Sequence, residues 1–292
     1  MYFLNKYHAI ANMAIFCKME GFVDVDAMEF SKLKKTYLNL IEKKFKITLS
    51  KENEIKVSFD KSILADVLRK GNMFKGEGLS ESETFSSAEQ DLILRNIEHA
   101  LVLIRALHED IFDLINLTVS DIVCVRVENS GGGTASNLPA IIWLSPHPKW
   151  TTIDYMECII HETIHLTLFN GDLIYSIYNN PRGLQNLEEA KVISAIRRVK
   201  RPIDKSYHSA CVAVGIAYLY NKLSMNSTVN KLIYNLKNCI EDLKDKRRFL
   251  APYGNSILDN LVNFIESNSF EIVDNSFTNT DLITFEERLI HI

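Results

Sequence analysis

Residues 155–169, YMECIIHETIHLTLF, place two histidines in an apolar stretch that has the length and composition of a buried helix. His161 and His165 are four residues apart, so a helix puts both imidazoles on one face, where they can reach the same ion. Glu162 projects about 100° round the helix from His161. That position suits a general base beside a metal-bound water, or a residue that orients a ligand. A charged triplet inside an apolar helix must be satisfied by something, and the segment therefore predicts a metal site.

Two histidines need a third ligand, and the chain after the motif offers two kinds. Glu188 and Glu189 follow His165 by 23 and 24 residues, the spacing at which many HExxH zinc peptidases place a ligating glutamate on a following helix. His208 lies on the next predicted helix. Each candidate also has an ordinary structural explanation: the helix dipole favours carboxylates in a first turn, and a histidine on an apolar face is often a core residue. The sequence leaves both kinds of ligand open.

Composition and charge are those of an ordinary globular chain. Of the 292 residues, 47% are hydrophobic and 24% are charged, which supplies a sizeable core without disulfides. The formal net charge of −4 gives no reason to expect nucleic acid or an anionic membrane as a partner. We expect a single domain, 1–292, with an N-terminal helical part at 1–120, a metal-site core at 121–267 and a C-terminal extension at 268–292. The oligomeric state is not indicated.

The five cysteines are dispersed, odd in number and without a CxxC pair. This pattern argues against a disulfide framework or a cysteine-based zinc site and indicates a reducing, intracellular compartment. The first 22 residues lack a basic region followed by an unbroken apolar core and a cleavage site, so no signal peptide is predicted. No window reaches the roughly 18 apolar residues of a membrane span. We therefore expect a cytoplasmic protein.

Hydrophobic periodicity predicts a mainly α (α+β) fold that carries the HExxH helix and a small antiparallel β element. Two β-rich runs, 121–127 and 138–144, flank a glycine turn at 131–133, which favours an antiparallel pair. The second run is either an edge strand that pairs with an extended peptide or part of a core hairpin. A short strand is predicted at 54–59 and a loop at 70–87. The first 45 residues are predicted to be helical, with apolar positions at helical spacing through 27–45. Further helices are predicted at 88–115, 151–169, 185–198, 206–223, 227–246 and 255–267, followed by loop and short strand.

The order of motifs between residues 130 and 222 resembles a known family. HExxH is followed by a serine-arginine element, an Arg-Pro pair and a histidine six residues after that proline, here at 161–165, 194–197, 201–202 and 208. This order is similar to that of the HExxH-type peptide β-hydroxylases, which depend on 2-oxoglutarate and act on ribosomally made precursor peptides. HExxH alone is shared with many peptidases, so the discrimination rests on the later Arg-Pro-and-His segment.

The resemblance implies an Fe(II) centre held by His161, His165 and His208, with open positions for O2 and a bidentate 2-oxo acid. The distal carboxylate of 2-oxoglutarate needs a cation, and a planar guanidinium binds a carboxylate through two hydrogen bonds. Arg201 and Arg197 are the candidates for that role. Their alternative explanation is a basic, solvated helix end. The implied activity is hydroxylation of the β-carbon of a residue in a precursor peptide.

A third histidine departs from the carboxylate that is usual in non-haem iron oxygenases, which keeps Glu188 and Glu189 open as substitutes. The main rival function is a zinc metallopeptidase in which Glu162 activates water and one of those glutamates is the third ligand. A second rival is a non-enzymatic module that binds a leader peptide around a structural metal. In the hydroxylase, Glu162 orients a ligand or meets the substrate, and the sequence does not choose between these roles.

Overall fold

The computed structural model of the protein describes residues 1–22, 24–25, 28–50, 54–71, 84–128 and 130–285. Most of these residues are helical, as the periodicity predicted. The predicted loop at 70–87 falls largely on 72–83, which lies outside the described residues.

The α-helices of the described residues are, in chain order, α1 (Lys6–Met19), α2 (Phe30–Phe45), α3 (Ile63–Lys70), α4 (Ser87–Leu107), α5 (Glu109–Thr118), α6 (Thr152–Tyr175), α7 (Pro181–Leu184), α8 (Ile203–Lys222), α9 (Asn226–Lys244), α10 (Pro252–Ser267) and α11 (Glu271–Ser276). The strands are β1 (Lys56–Phe59), β2 (Asp121–Cys124), β3 (Gly132–Gly133), β4 (Ile141–Leu144), β5 (Val192–Ile193) and β6 (Lys200–Arg201).

The chain divides into two compact units, Met13–Leu166 on the one hand and Met1–Asn12 with Thr167–Ile292 on the other. The division falls inside α6 and coincides with neither of the boundaries expected at 120 and 267. That the whole chain forms a single domain stays a prediction. Within the part of the chain that the structure describes, no helix is both long and apolar enough to cross a bilayer.

The first unit, Met13–Leu166, contains a four-stranded sheet in the order β1-β2-β4-β3. β1, β2 and β4 are parallel, and only β3 runs antiparallel, against β4. The predicted antiparallel pairing of the runs at 121–127 and 138–144 is therefore wrong, although a small antiparallel element is present. β4 is an internal strand, so the interpretation of 138–144 as an edge strand is also wrong. β2 and β4 themselves are fully buried, which is typical of parallel strands.

The glycine turn explains the error in pairing. Instead of closing a hairpin between β2 and β4, Gly132 and Gly133 lie alongside β4 as a strand of their own. A Cβ on Gly133 would come within 2.7 Å of the Trp143 indole, and one on Gly132 would come within 2.9 Å of the Trp143 carbonyl oxygen. Glycine is needed at both positions because the backbone lies too close to Trp143 to leave room for a Cβ atom.

The second unit is helical, with α8 at its centre. α8 is buried over nearly its whole length and packs on α9, α10 and the two-stranded antiparallel sheet of β5 and β6. Small residues such as Ala210, Ala213 and Gly215 let these neighbours approach it closely. A helix that is apolar on all sides is expected in such a position.

Two predicted segments differ from the structure. The helix predicted at 88–115 is interrupted at His108, which is extended (φ −163°, ψ 115°), and α5 begins anew at Glu109. The carboxylates of Glu109 and Asp110 favour a helix N-terminus at that point. After residue 267, the described residues form the short helix α11 and a 3-10 turn at Thr280–Leu282, and they include no strand, so the short strand predicted there is wrong.

Candidate metal centre

The predicted HExxH segment lies in the middle of α6. The helix begins at Thr152, where the backbone N–H of Thr151 donates to the Asp154 carboxylate at 2.6 Å. This contact satisfies one of the donors that a helix N-terminus leaves unpaired. Residues 159–168 are buried with two exceptions, His161 and His165, which are half-buried. The two histidines therefore form an accessible stripe on an otherwise covered part of the helix.

The two imidazoles lie side by side. Their ring centroids are 5.0 Å apart with an interplanar angle of 52°, and the His161 side chain is 28% exposed. Tilted rings one turn apart can both direct a nitrogen at one ion, since each needs to approach it to about 2.1 Å. The helix thus supplies two neighbouring nitrogen donors.

Glu162 is almost completely buried, although it belongs to the same turn. Its side chain is 7% exposed, and one carboxyl oxygen lies 3.9 Å from Nε2 of His161. Burial raises the pKa of the Glu162 carboxyl to about 8 in the metal-free protein, because the ionised form loses its hydration. A carboxyl with a pKa near neutrality can give or take a proton, which suits acid–base chemistry as well as a supporting role.

Cys158 extends the accessible stripe by one turn toward the N-terminus of α6 and is not among the residues predicted from the sequence. It is half-buried, and burial, with a smaller effect of the Glu162 charge, raises the pKa of its thiol to about 12. A Cβ on Gly131 would lie 3.1 Å from the Trp150 ring and 3.7 Å from the Cys158 sulfur. The glycine turn and Trp150 therefore border this end of the stripe. Its helical spacing from His161 was the signal that could have identified Cys158.

Glu188 and Glu189, the alternative candidates for the third ligand, do not lie on the helix that was predicted for them. Glu188 and Glu189 sit on a single 3-10 turn, followed by β5, so the helix predicted at 185–198 is wrong. The Glu188 side chain is 81% exposed and pairs with Lys191 at 2.5 Å. Glu189 is 59% exposed and pairs with Arg248 at 3.2 Å. Both carboxylates have the hydration and the partners of surface residues.

His208 lies on α8, in the second unit, and is 6% exposed. The Phe169 ring lies 5.1 Å from it, centroid to centroid. Burial, and secondarily the charge of Lys205, lowers the pKa of the His208 imidazole to about 3. The side chain is therefore neutral at physiological pH, as a metal-ligating imidazole must be.

Arg197 and Arg201 lie on the hairpin of β5 and β6 that precedes α8. Arg197 is exposed on the connecting turn, and Arg201 is half-buried in β6, opposite Val192. Neither arginine forms an ion pair with any other residue that the structure describes. The alternative explanation for them, a basic and solvated helix end, is wrong, since the segment is a strand pair.

Buried serines attach this hairpin to α8. Ser194 Oγ donates to Ser209 Oγ at 3.0 Å, and Ser209 Oγ accepts from the Ala195 backbone N–H at 3.1 Å. Ser206 Oγ donates to the Val192 carbonyl at 2.7 Å. These bonds hold the arginine-bearing hairpin against the turn of α8 that carries His208. The serine of the predicted serine-arginine element, Ser194, thus has a defined structural partner.

The donor set fits a metal in part. The imidazoles of His161 and His165 have the chemistry and spacing of two ligands. Among the described residues, however, there is no group of three or more His, Cys, Asp or Glu side chains close enough to hold an ion. Of the three predicted ligands, two lie in the first unit and His208 lies in the second.

Neither a scan against protein-family models nor a search of curated proteins finds a match to this chain.

Proposed function

We propose that the protein is an Fe(II)- and 2-oxoglutarate-dependent hydroxylase, in which His161, His165 and His208 hold the metal and the substrate is a ribosomally made precursor peptide. The observation that carries the proposal is the contrast between the candidates for third ligand. His208 is buried and neutral, whereas Glu188 and Glu189 are exposed and engaged in surface ion pairs. A third histidine agrees with the motif order of the peptide β-hydroxylases and departs from that of the glutamate-ligated peptidases.

The arginine-bearing hairpin supports the cofactor assignment. Arg201 lies seven residues before His208 and has no acidic partner among the described side chains. A half-buried guanidinium without a carboxylate is suited to take the distal carboxylate of 2-oxoglutarate through two hydrogen bonds. We assign this role first to Arg201 and second to Arg197, which is more exposed.

When bound, iron and 2-oxoglutarate supply the oxidising power: O2 and 2-oxoglutarate are consumed, CO2 and succinate leave, and one oxygen atom is inserted into a C–H bond of the peptide. The tasks of the protein are to bind, to orient and to exclude water. His161 and His165 present neighbouring donors on the part of α6 that is otherwise buried. The serines of the hairpin keep the arginines in place, and Glu162 orients a neighbouring ligand or the peptide.

The decisive test is metal analysis of protein purified without oxygen, combined with a measurement of succinate formation from 2-oxoglutarate. We expect iron bound at one equivalent and turnover that depends on it. His208→Ala should lose iron and turnover, whereas the exposed His147→Ala, a matched control, should keep both. Zinc as the resident metal, without succinate formation, would show the proposal to be wrong.

The zinc metallopeptidase remains the second candidate because of one observation, the buried Glu162 carboxyl 3.9 Å from the His161 imidazole. A carboxyl beside a metal ligand is where a peptidase needs its general base. Glu162→Gln distinguishes the two functions. It should abolish peptide hydrolysis outright, whereas a hydroxylase in which Glu162 only orients a group should keep part of its succinate formation. A location in the cytoplasm, and the lack of nucleic-acid or membrane partners, stay predictions.

A further inference from the structure

A row of lysines follows the exposed face of α2. Lys32, Lys35 and Lys43 are spaced at i, i+3 and i+11, with Asn39 between them, and Lys46 continues the row at the C-terminal cap. The four lysines and Asn39 are all exposed, while the opposite face of the helix is buried. We call these four lysines the lysine row. At 1.5 Å per residue it is about 21 Å long.

The lysine row differs from the other lysines of the same helix. Lys34 donates to the Asn116 carbonyl, and Lys44 pairs with Glu20. The nearby carboxylate of Glu42 accepts the backbone N–H of Leu49 at 2.7 Å. None of the four lysines of the row has an ion-pair partner among the residues that the structure describes. The fold therefore uses two lysines of α2 internally and leaves the row uncompensated.

This arrangement works against the stability of the helix. Like charges three or four residues apart on a helix repel each other, and Lys32 and Lys35 have that spacing within α2. The row also concentrates positive charge on one helix face of a chain whose formal net charge is −4. A bound partner with negative charges at matching intervals would remove the repulsion.

We propose that the lysine row binds an acidic segment of the peptide substrate. This inference rests on the proposed function for the identity of the partner and names its chemistry: an extended stretch rich in Asp and Glu. At about 3.3 Å per residue, six or seven residues span the row. The row itself has no exposed apolar side chain to enter a bilayer, since the exposed Phe30 stands at the first position of α2, on another side of the helix from Lys32. It also has neither an aromatic ring to stack on bases nor an arginine to grip phosphates through two bonds.

The experiment measures binding of a fluorescent, glutamate-rich peptide of about ten residues to the metal-free full-length protein. The probes for comparison are a glutamine-rich peptide of equal length, an RNA oligonucleotide, and vesicles of phosphatidylglycerol. The test variant changes Lys32, Lys35, Lys43 and Lys46 to Gln. The control variant changes four exposed lysines elsewhere, Lys61, Lys149, Lys231 and Lys237, to Gln, so that both variants lose the same charge.

We expect the wild type and the control variant to bind the glutamate-rich peptide, with an affinity that falls as salt is added. The test variant should bind it about tenfold more weakly or worse, since several surface ion pairs are lost together. Equal affinities for the test and control variants, no binding by the wild type, or tighter binding of the RNA or the vesicles would each overturn the proposal. Because the assay needs no metal, its result is separate from that of the succinate measurement.

Discussion

Glu162 combines two properties that are costly in a folded protein: it is ionisable, and it is almost fully buried. In the unfolded chain its carboxyl ionises near pH 4.5, whereas in the fold burial raises its pKa to about 8. The folded state therefore loses stability relative to the unfolded state as the pH rises from about 4.5 to about 8. A residue kept at such a cost is expected to serve the site rather than the fold.

Glu162→Gln should accordingly stabilise the metal-free protein at neutral pH, because an amide does not ionise. We expect a gain of about 3 kcal/mol at pH 7 that shrinks to nothing near pH 4.5. Chemical denaturation of chelator-treated wild type and variant at both pH values measures it. A gain that is the same at both pH values would contradict the assignment of the cost to ionisation.

His8 shows the opposite sign at another buried position. Its imidazole lies 2.9 Å from both the Ile283 carbonyl oxygen and the Tyr253 hydroxyl, so Nδ1 donates to the carbonyl and Nε2 accepts. Burial lowers the pKa of His8 to about 4. Because the fold disfavours the protonated form, its contribution to stability is complete above about pH 6.5 and is lost as the pH falls toward 4.

We therefore expect His8→Gln to lose part of the pH dependence of unfolding. The wild type should lose about 3 kcal/mol from this group between pH 6.5 and 4, and the variant should lack that part of the decline. The difference between the two unfolding curves isolates His8 from other groups that titrate in the same range, such as His208. Parallel curves would show that His8 is not the source.

At the scale of elements, α10 depends on a glycine. The Ala251 N–H donates to the Ile177 carbonyl at 2.9 Å, and a Cβ on Gly254 would come within 2.2 Å of that same carbonyl oxygen. Tyr207 also donates its hydroxyl to the Gly254 carbonyl at 2.6 Å. The first turn of α10 is thereby held directly against the backbone that follows α6.

Gly254→Ala should destabilise the protein by about 2 kcal/mol or more, although alanine is the better helix former, because a rigid backbone atom occupies the space of the methyl group. Gly183→Ala in α7 is the matched control, since there the nearest atom is the end of the Asn180 side chain, at 3.0 Å. Thermal unfolding of both variants measures the difference. Equal melting temperatures would refute the close approach.

The amphipathic and buried helices could be predicted from the sequence, since the period of their apolar residues is a local property. α2, α8, α9 and α10 lie within three residues of their predicted bounds, and α6 begins as predicted but ends six residues later, at Tyr175. The structure of the segment at 185–198 could not be predicted in this way. Its carboxylates and basic residues resemble the two ends of a helix, but in the structure Val192 and Ile193 pair with β6. That pairing, and the buried serines that support it, depend on α8, which follows later in the chain.

At the scale of the molecule, metal binding should be coupled to stability. Addition of Fe(II) under nitrogen to chelator-treated wild type should raise the melting temperature. When the free Fe(II) concentration is a hundred times the dissociation constant, the free energy of unfolding should rise by about 2.7 kcal/mol. The variant in which His161 and His165 are both alanine should show no rise. An equal rise in that variant would place the metal elsewhere.

The sequence by itself determined the helix that carries HExxH, the placement of the two imidazoles on one face of it, and the mainly helical class, because each follows from spacing along a single element. Only the tertiary structure decided the direction of β4, the strand character of the segment before α8, and the different surroundings of His208, Glu188 and Glu189. These depend on which segments meet in space and on how much water each side chain keeps, and neither is a property of a local pattern.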